Sequence, residues 1–247
     1  MDYGELALIL MAVAVGFFAK GMTGVGGPLL AVPVVAAFTS VEFAVAVIAI
    51  PTLVANVWLL LQTRDAANSV RRYLVPMLVA GTVGVFIGVL LLVSADNNWL
   101  SLMLALLVIA YIIWYLANPS FRLSERTAQR LAAPVGLIGG GIHGATGISA
   151  PVFATYTHSL NLPRTGFIFA VTVPFTVLGA ALIVSLAAVG AYDRERLIAG
   201  LIAVIPVIIV TPIGSRVGER MSQRAFQLAV LVMLGASAAG LLWTVFT

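Results

Sequence analysis

The sequence predicts an all-α integral membrane protein built as two inverted repeats, each a broken or re-entrant helical hairpin plus three transmembrane helices. Three observations carry that reading. Of 247 residues, 62% are hydrophobic and only 9% are charged, against about 25% charged in a soluble domain. Two glycine-rich segments recur in one register. The arginines gather in short polar loops between long apolar runs.

The first repeat, residues 1–121, opens with the apolar stretch Leu6–Phe38, too long for one ordinary crossing of roughly 20 residues. Near its middle it is broken by Lys20-Gly21-Met22-Thr23-Gly24-Val25-Gly26-Gly27-Pro28. Gly and Pro at that density interrupt a helix. Spans follow at 42–62, 73–93 and 99–117. The second repeat, residues 122–247, has the same plan: a hairpin over 131–160, then spans at 165–188, 197–212 and 226–246. Its break reads His143-Gly144-Ala145-Thr146-Gly147-Ile148-Ser149-Ala150-Pro151. None of these runs shows the period-two alternation of a membrane barrel.

The two halves align without gaps at an offset of 123 residues, which pairs Lys20 with His143, Gly21 with Gly144, Thr23 with Thr146 and Gly24 with Gly147. It also pairs Pro28 with Pro151 and Pro51 with Pro174. Coincidence is a poor account of so many Gly, Thr and Pro identities, so the chain is read as a duplication. Loops 63–72, 118–130 and 214–225 each carry three Arg against one acid, and the positive-inside rule puts them in the cytoplasm. Loops 94–98 and 189–196 then lie outside. Each broken stretch must begin and end on one side, and an odd number of spans per half inverts the repeats. The competing arrangement makes each broken stretch a single crossing, giving eight spans and parallel repeats, but it exports the basic loop 214–225.

Paired breaks in inverted repeats point to a transporter's substrate site. A half-helix starting near Pro28 or Pro151 leaves its first N–H groups unpaired, and its dipole adds partial positive charge. Two such ends form an anion cradle. The candidate substrate-binding residues are therefore Lys20, Gly21, Thr23, Gly24, Gly26, His143, Gly144, Thr146, Gly147, Ser149 and Asn56. Lys20 is the only lysine in the chain, and a lysine at a helix centre costs about 2.5–3.5 kcal/mol to insert, which a bound anion would offset. Two alternatives stay open: Lys20 snorkels or bonds loop carbonyls, and His143 pins the hairpin as a neutral imidazole. Asn56 faces either a pore or a neighbouring helix.

There is no cysteine, no P-loop pattern and no metal-ligand spacing, so the expectation is a non-enzyme without cofactor or metal. No spanning helix carries a central Asp or Glu, which argues against a carboxylate proton relay. The basic balance, +4 formally, sits in loops facing anionic lipid rather than nucleic acid.

The paired signatures Gly21-Met22-Thr23-Gly24-Val25-Gly26-Gly27-Pro28-Leu29-Leu30-Ala31-Val32-Pro33 and Gly144-Ala145-Thr146-Gly147-Ile148-Ser149-Ala150-Pro151 resemble the sulfite exporter TauE/SafE family. Where many members have three glycines, this chain has Gly26-Gly27-Pro28 and Ser149-Ala150-Pro151. The resemblance implies secondary transport of a small anion, sulfite or an organosulfonate, across the bacterial cytoplasmic membrane. An anion channel, or a permease with another substrate, is the alternative.

Overall fold

The computed structural model describes residues 3–63, 71–117, 122–160, 162 and 164–218. Among them every regular element is an α-helix. In chain order these are α1 (Tyr3–Thr23), α2 (Gly27–Ala36), α3 (Val41–Thr63), α4 (Arg71–Ser94), α5 (Asn97–Ala117), α6 (Glu125–Thr146), α7 (Ala150–Ser159), α8 (Arg164–Ala188) and α9 (Arg194–Gly218). Among the described residues six stretches are long and apolar enough to cross a membrane: Gly4–Thr23, Val41–Thr63, Tyr73–Ser94, Asn97–Trp114, Gly166–Ala188 and Arg194–Gly218. The chain is a multi-pass membrane protein. The expected span at 226–246 lies outside the described residues.

Two boundaries differ from the sequence reading, each for a local reason. The breaks fall at residues 24–26 and 147–149, inside the glycine-rich segments that the sequence marks, but the first arms start earlier than expected and the arms are unequal. The first arms run 21 residues in α1 and 22 in α6, and the second arms only 10 each. Gly16 and Gly21 do not end α1, because both are contact points: a Cβ on Gly16 would meet the Gly27 carbonyl, and one on Gly21 the Thr211 carbonyl. The span expected to stop at Pro212 continues to Gly218, with Pro206 and Pro212 inside the helix. Neighbouring helices let membrane helices tolerate proline.

The helix starts keep the offset of 123 residues. α6, α7, α8 and α9 each start within one residue of that distance past α1, α2, α3 and α4. The packing crosses between the two sets: α1 lies along α9, α4 along α6, and α3 against α8. In lipid, apolar surface does not drive helices together, so close backbone approach matters more. Glycines provide it. A Cβ on Gly140 would strike the Gly81 carbonyl, one on Gly144 the Val85 carbonyl, and one on Gly214 the Phe18 carbonyl.

Polar contacts tie the helix ends. Arg196 Nη1 donates to Glu42 Oε1 and to the Ala191 carbonyl, both at 2.6 Å, joining the start of α3 to the start of α9. Tyr192, just past α8, donates to the Ala46 carbonyl at 3.1 Å. Burial pushes its hydroxyl up to about 12, so it remains a donor at any physiological pH. The Val41 N–H donates to Asn97 Oδ1 at 3.0 Å, bringing the α4–α5 turn to the same end. At another point the Leu123 N–H reaches the Ser159 carbonyl at 3.3 Å.

The glycine contacts predict opposite outcomes for two buried glycines. Gly140→Ala overpacks the α4–α6 seam, at a cost of about 1–3 kcal/mol, and lowers the melting temperature in detergent. Gly179→Ala should leave it unchanged or raise it, because a Cβ there meets nothing within 4 Å and alanine favours a helix interior by about 0.5–1 kcal/mol.

Candidate functional site

Each break is built the same way. α1 ends at Thr23 and α6 at Thr146, and the next residue is a glycine with positive φ: Gly24 at 77° and Gly147 at 68°. An L side chain is strained in that left-handed region, which is why glycine sits there. The glycine N–H then bonds back by four residues, Gly24 to the Lys20 carbonyl and Gly147 to the His143 carbonyl, at 2.7 Å each.

The threonine holds the turn. Thr23 Oγ1 lies 3.0 Å from the Ala19 carbonyl and 2.6 Å from the Val25 carbonyl, and accepts from the Val25 N–H at 3.2 Å. Thr146 Oγ1 repeats this with the Ile142 and Ile148 carbonyls and the Ile148 N–H. Both hydroxyl protons are thus engaged within the breaks.

Beyond the turns begin the half-helices. Gly26, with φ of 108°, precedes α2, and Ser149 precedes α7; no side chain caps either N-terminus. The Ser149 hydroxyl is turned instead to His143 Nδ1, 3.2 Å away. Gly21 and Gly144 are placed by the structure against backbone: Gly21 on α9 and Gly144 on α4.

Each break lies against the long helix of the other half. A Cβ on Gly24 would meet Ile168 on α8, and one on Gly147 would meet Val45 on α3; positions 45 and 168 are themselves 123 apart. The basic residues follow suit. Lys20 is 1% exposed, and its Nζ lies 4.9 Å from the centroid of the Phe175 ring on α8. It also donates to the Gly24 carbonyl at a long 3.4 Å. His143, 3% exposed, lines a cavity with Thr52 on α3, and its Nε2 is buried without a partner among the described residues. Positions 52 and 175 are again counterparts.

Asn56 serves as a helix-to-helix link: its Nδ2 donates to the Phe175 carbonyl at 3.0 Å, while Oδ1 is buried without a partner among the described residues. The structure therefore brings Lys20, Gly24, His143, Gly147, Ser149 and Asn56 to the region where the breaks meet α3 and α8. Phe175, Thr52 and Gly179 belong to the same region, and the sequence reading did not make them candidates. The signal was present, since Thr52 and Phe175 directly follow the paired prolines Pro51 and Pro174.

A model of the family described as Sulfite exporter TauE/SafE matches residues 8–241, which is nearly the whole chain. No curated protein and no solved structure matches it. The matching family is one of membrane transporters rather than enzymes.

The threonine turn gives a direct expectation. Thr146→Val removes the acceptor for the Ile148 N–H and leaves a buried donor unpaired, at about 1–3 kcal/mol. Thr146→Ser keeps it. The melting temperature should fall for the valine variant and recover in the serine variant.

Proposed function

The chain belongs to the sulfite exporter TauE/SafE family, and from that premise we propose that it is a secondary transporter of a small anion. The best candidates are sulfite or an organosulfonate, moved across the bacterial cytoplasmic membrane through a midplane site between the two breaks. One observation carries this reading. Two half-helix N-termini without side-chain caps each stand beside a buried basic residue, Lys20 for α2 and His143 for α7. Helix N-termini favour anions, and a buried lysine needs compensation that the faces around it supply only weakly. A desolvated oxyanion satisfies both.

Secondary transport also asks for two-sided architecture, and we infer that the repeats are inverted. The contacts in its favour are those at the helix ends. Glu42 at the start of α3 pairs with Arg196 beyond the end of α8, and Tyr192 bonds Ala46. The start of α3 and the end of α8 therefore lie together, so the two helices run antiparallel. In the eight-span parallel arrangement those points would lie on opposite faces of the membrane. The contact of Leu123 with Ser159 likewise supports α6 and α7 beginning and ending on one side. The proposed repeat boundary, 1–121 and 122–247, follows from the same correspondence.

Topology is tested by introduced cysteines. Asn98→Cys and Val189→Cys should be labelled by an impermeant maleimide from one face, the periplasmic one, and Glu125→Cys only from the other. Labelling of positions 98 and 189 from opposite faces would sink the inverted reading. The substrate site is tested by Lys20→Met, which removes the charge and nearly keeps the volume. Sulfite affinity should fall roughly ten- to hundredfold, the worth of a charge-assisted hydrogen bond of about 1.5–3 kcal/mol. Unchanged affinity in a protein that melts normally would remove Lys20 from the site.

A further inference from the structure

The surface of α6 is uneven. Its buried face is a line of small residues, Ala128, Ala132, Gly136, Gly139 and Gly140, and leads to His143. Its open face begins with Arg126 and Arg130, both exposed and one turn apart. Deeper along the helix Leu137 and Ile138 are exposed as well, as suits side chains that meet lipid tails. At about 100° per residue, Leu137 stands only about 20° from Arg126 around the axis, whereas His143 stands about 100° away on the other side. The two arginines therefore share the lipid-facing side of α6, not the side that leads to the break.

Depth agrees with direction. A rise of about 1.5 Å per residue puts Leu137 about 14 Å from Thr146 and Arg130 about 24 Å. With the breaks at the midplane, as proposed above, half the hydrocarbon core spans about 15 Å and half the bilayer with its headgroups about 20–22 Å. Leu137 then lies among acyl chains and Arg130 at the headgroups, with Arg126 a turn further out. Arg122, also exposed, adds a third positive charge two residues before the N-cap Ser124. Among the described residues no ion pair ties any of the three to an acid. Glu125, the nearest acid in sequence, points about 100° away from Arg126 around the helix and is engaged elsewhere.

The geometry points to Arg126 and Arg130 as a binding site for the phosphate of an anionic phospholipid in the cytoplasmic leaflet. Each guanidinium is a planar fork that can take two phosphate oxygens, while the acyl chains run down past Leu137 and Ile138. A zwitterionic headgroup carries an ammonium that offsets its phosphate and is repelled by the arginines, so net charge selects the lipid. This site is separate from the transport path and does not depend on which anion is moved.

The test uses the purified full-length protein in a non-ionic detergent, titrated with phosphatidylglycerol or with phosphatidylcholine of the same acyl chains. A ligand of the folded state raises the melting temperature by mass action, so each titration yields an apparent affinity. Phosphatidylglycerol should stabilise the parent well beyond phosphatidylcholine. An arginine near an anionic lipid surface is worth about fivefold in affinity. Arg126→Gln and Arg130→Gln should each weaken phosphatidylglycerol binding by about that factor, and the double variant by about tenfold or more, with lipid-free melting unchanged. Arg194→Gln, at an exposed arginine on the start of α9, should keep the parental response. Equal stabilisation by the two lipids, or parental phosphatidylglycerol affinity in the double variant, would overturn the assignment. Glycerol 1-phosphate carries the phosphate without acyl chains. If it stabilises the parent as well as the lipid does, and loses that effect in the double variant, the pair is a site for free oxyanions and the lipid assignment fails.

Discussion

A polar backbone group inside a membrane has no water to turn to, and a chain that breaks its helices there must satisfy them from within. The rest of this structure follows from that constraint. At residues 24–26 and 147–149 the chain leaves the helical path, and a threonine hydroxyl bonds the freed groups on both sides of each turn. Bonding alone does not shield them from lipid. The shield is the long helix of the opposite half, α8 over the first break and α3 over the second. Each break is thus covered from the other set of helices, which ties the two sets together.

The interlocking relies on shape more than on apolar area. Large side chains such as Val79, Leu90, Leu201 and Ile208 are 59–66% exposed, as suits surfaces that meet lipid tails. Where α4 meets α6 and α1 meets α9, the contact residues are glycines facing carbonyl oxygens. Such seams bring backbones close and fix the helices in register. That register in turn decides which side chains of α3 and α8 confront the breaks. The packing and the site are therefore one problem: a shift along either seam would move Phe175 off Lys20 and Thr52 away from His143.

Duplication supplies a symmetric frame, and substitution makes its two ends unlike. Lysine faces histidine's place, Phe175 that of Thr52, Asn56 that of Gly179, and Gly26 that of Ser149. On one side the basic group is covered by an aromatic ring. On the other it borders a small cavity and is oriented by a hydroxyl.

By itself the sequence determined the helical membrane class, the two breaks and the offset that relates them. These are written in composition and in local backbone chemistry: apolar length, Gly and Pro at the turns, and threonine beside a glycine that must adopt positive φ. Lys20 and His143 were legible as a pair for the same reason. The unequal arms of the hairpins were not, because Gly21, inside the glycine-rich segment, reads as part of the break until α9 is seen packed on it. Nor was the role of Asn56, whose amide could have faced water or a neighbour; only the nearness of the Phe175 carbonyl, 119 residues away, decides it. The cavity beside His143 is the extreme case. It is lined by Gly179 on α8, which has no side chain, and by the short Thr52 on α3, and free volume between distant segments is a property of packing that no local pattern encodes.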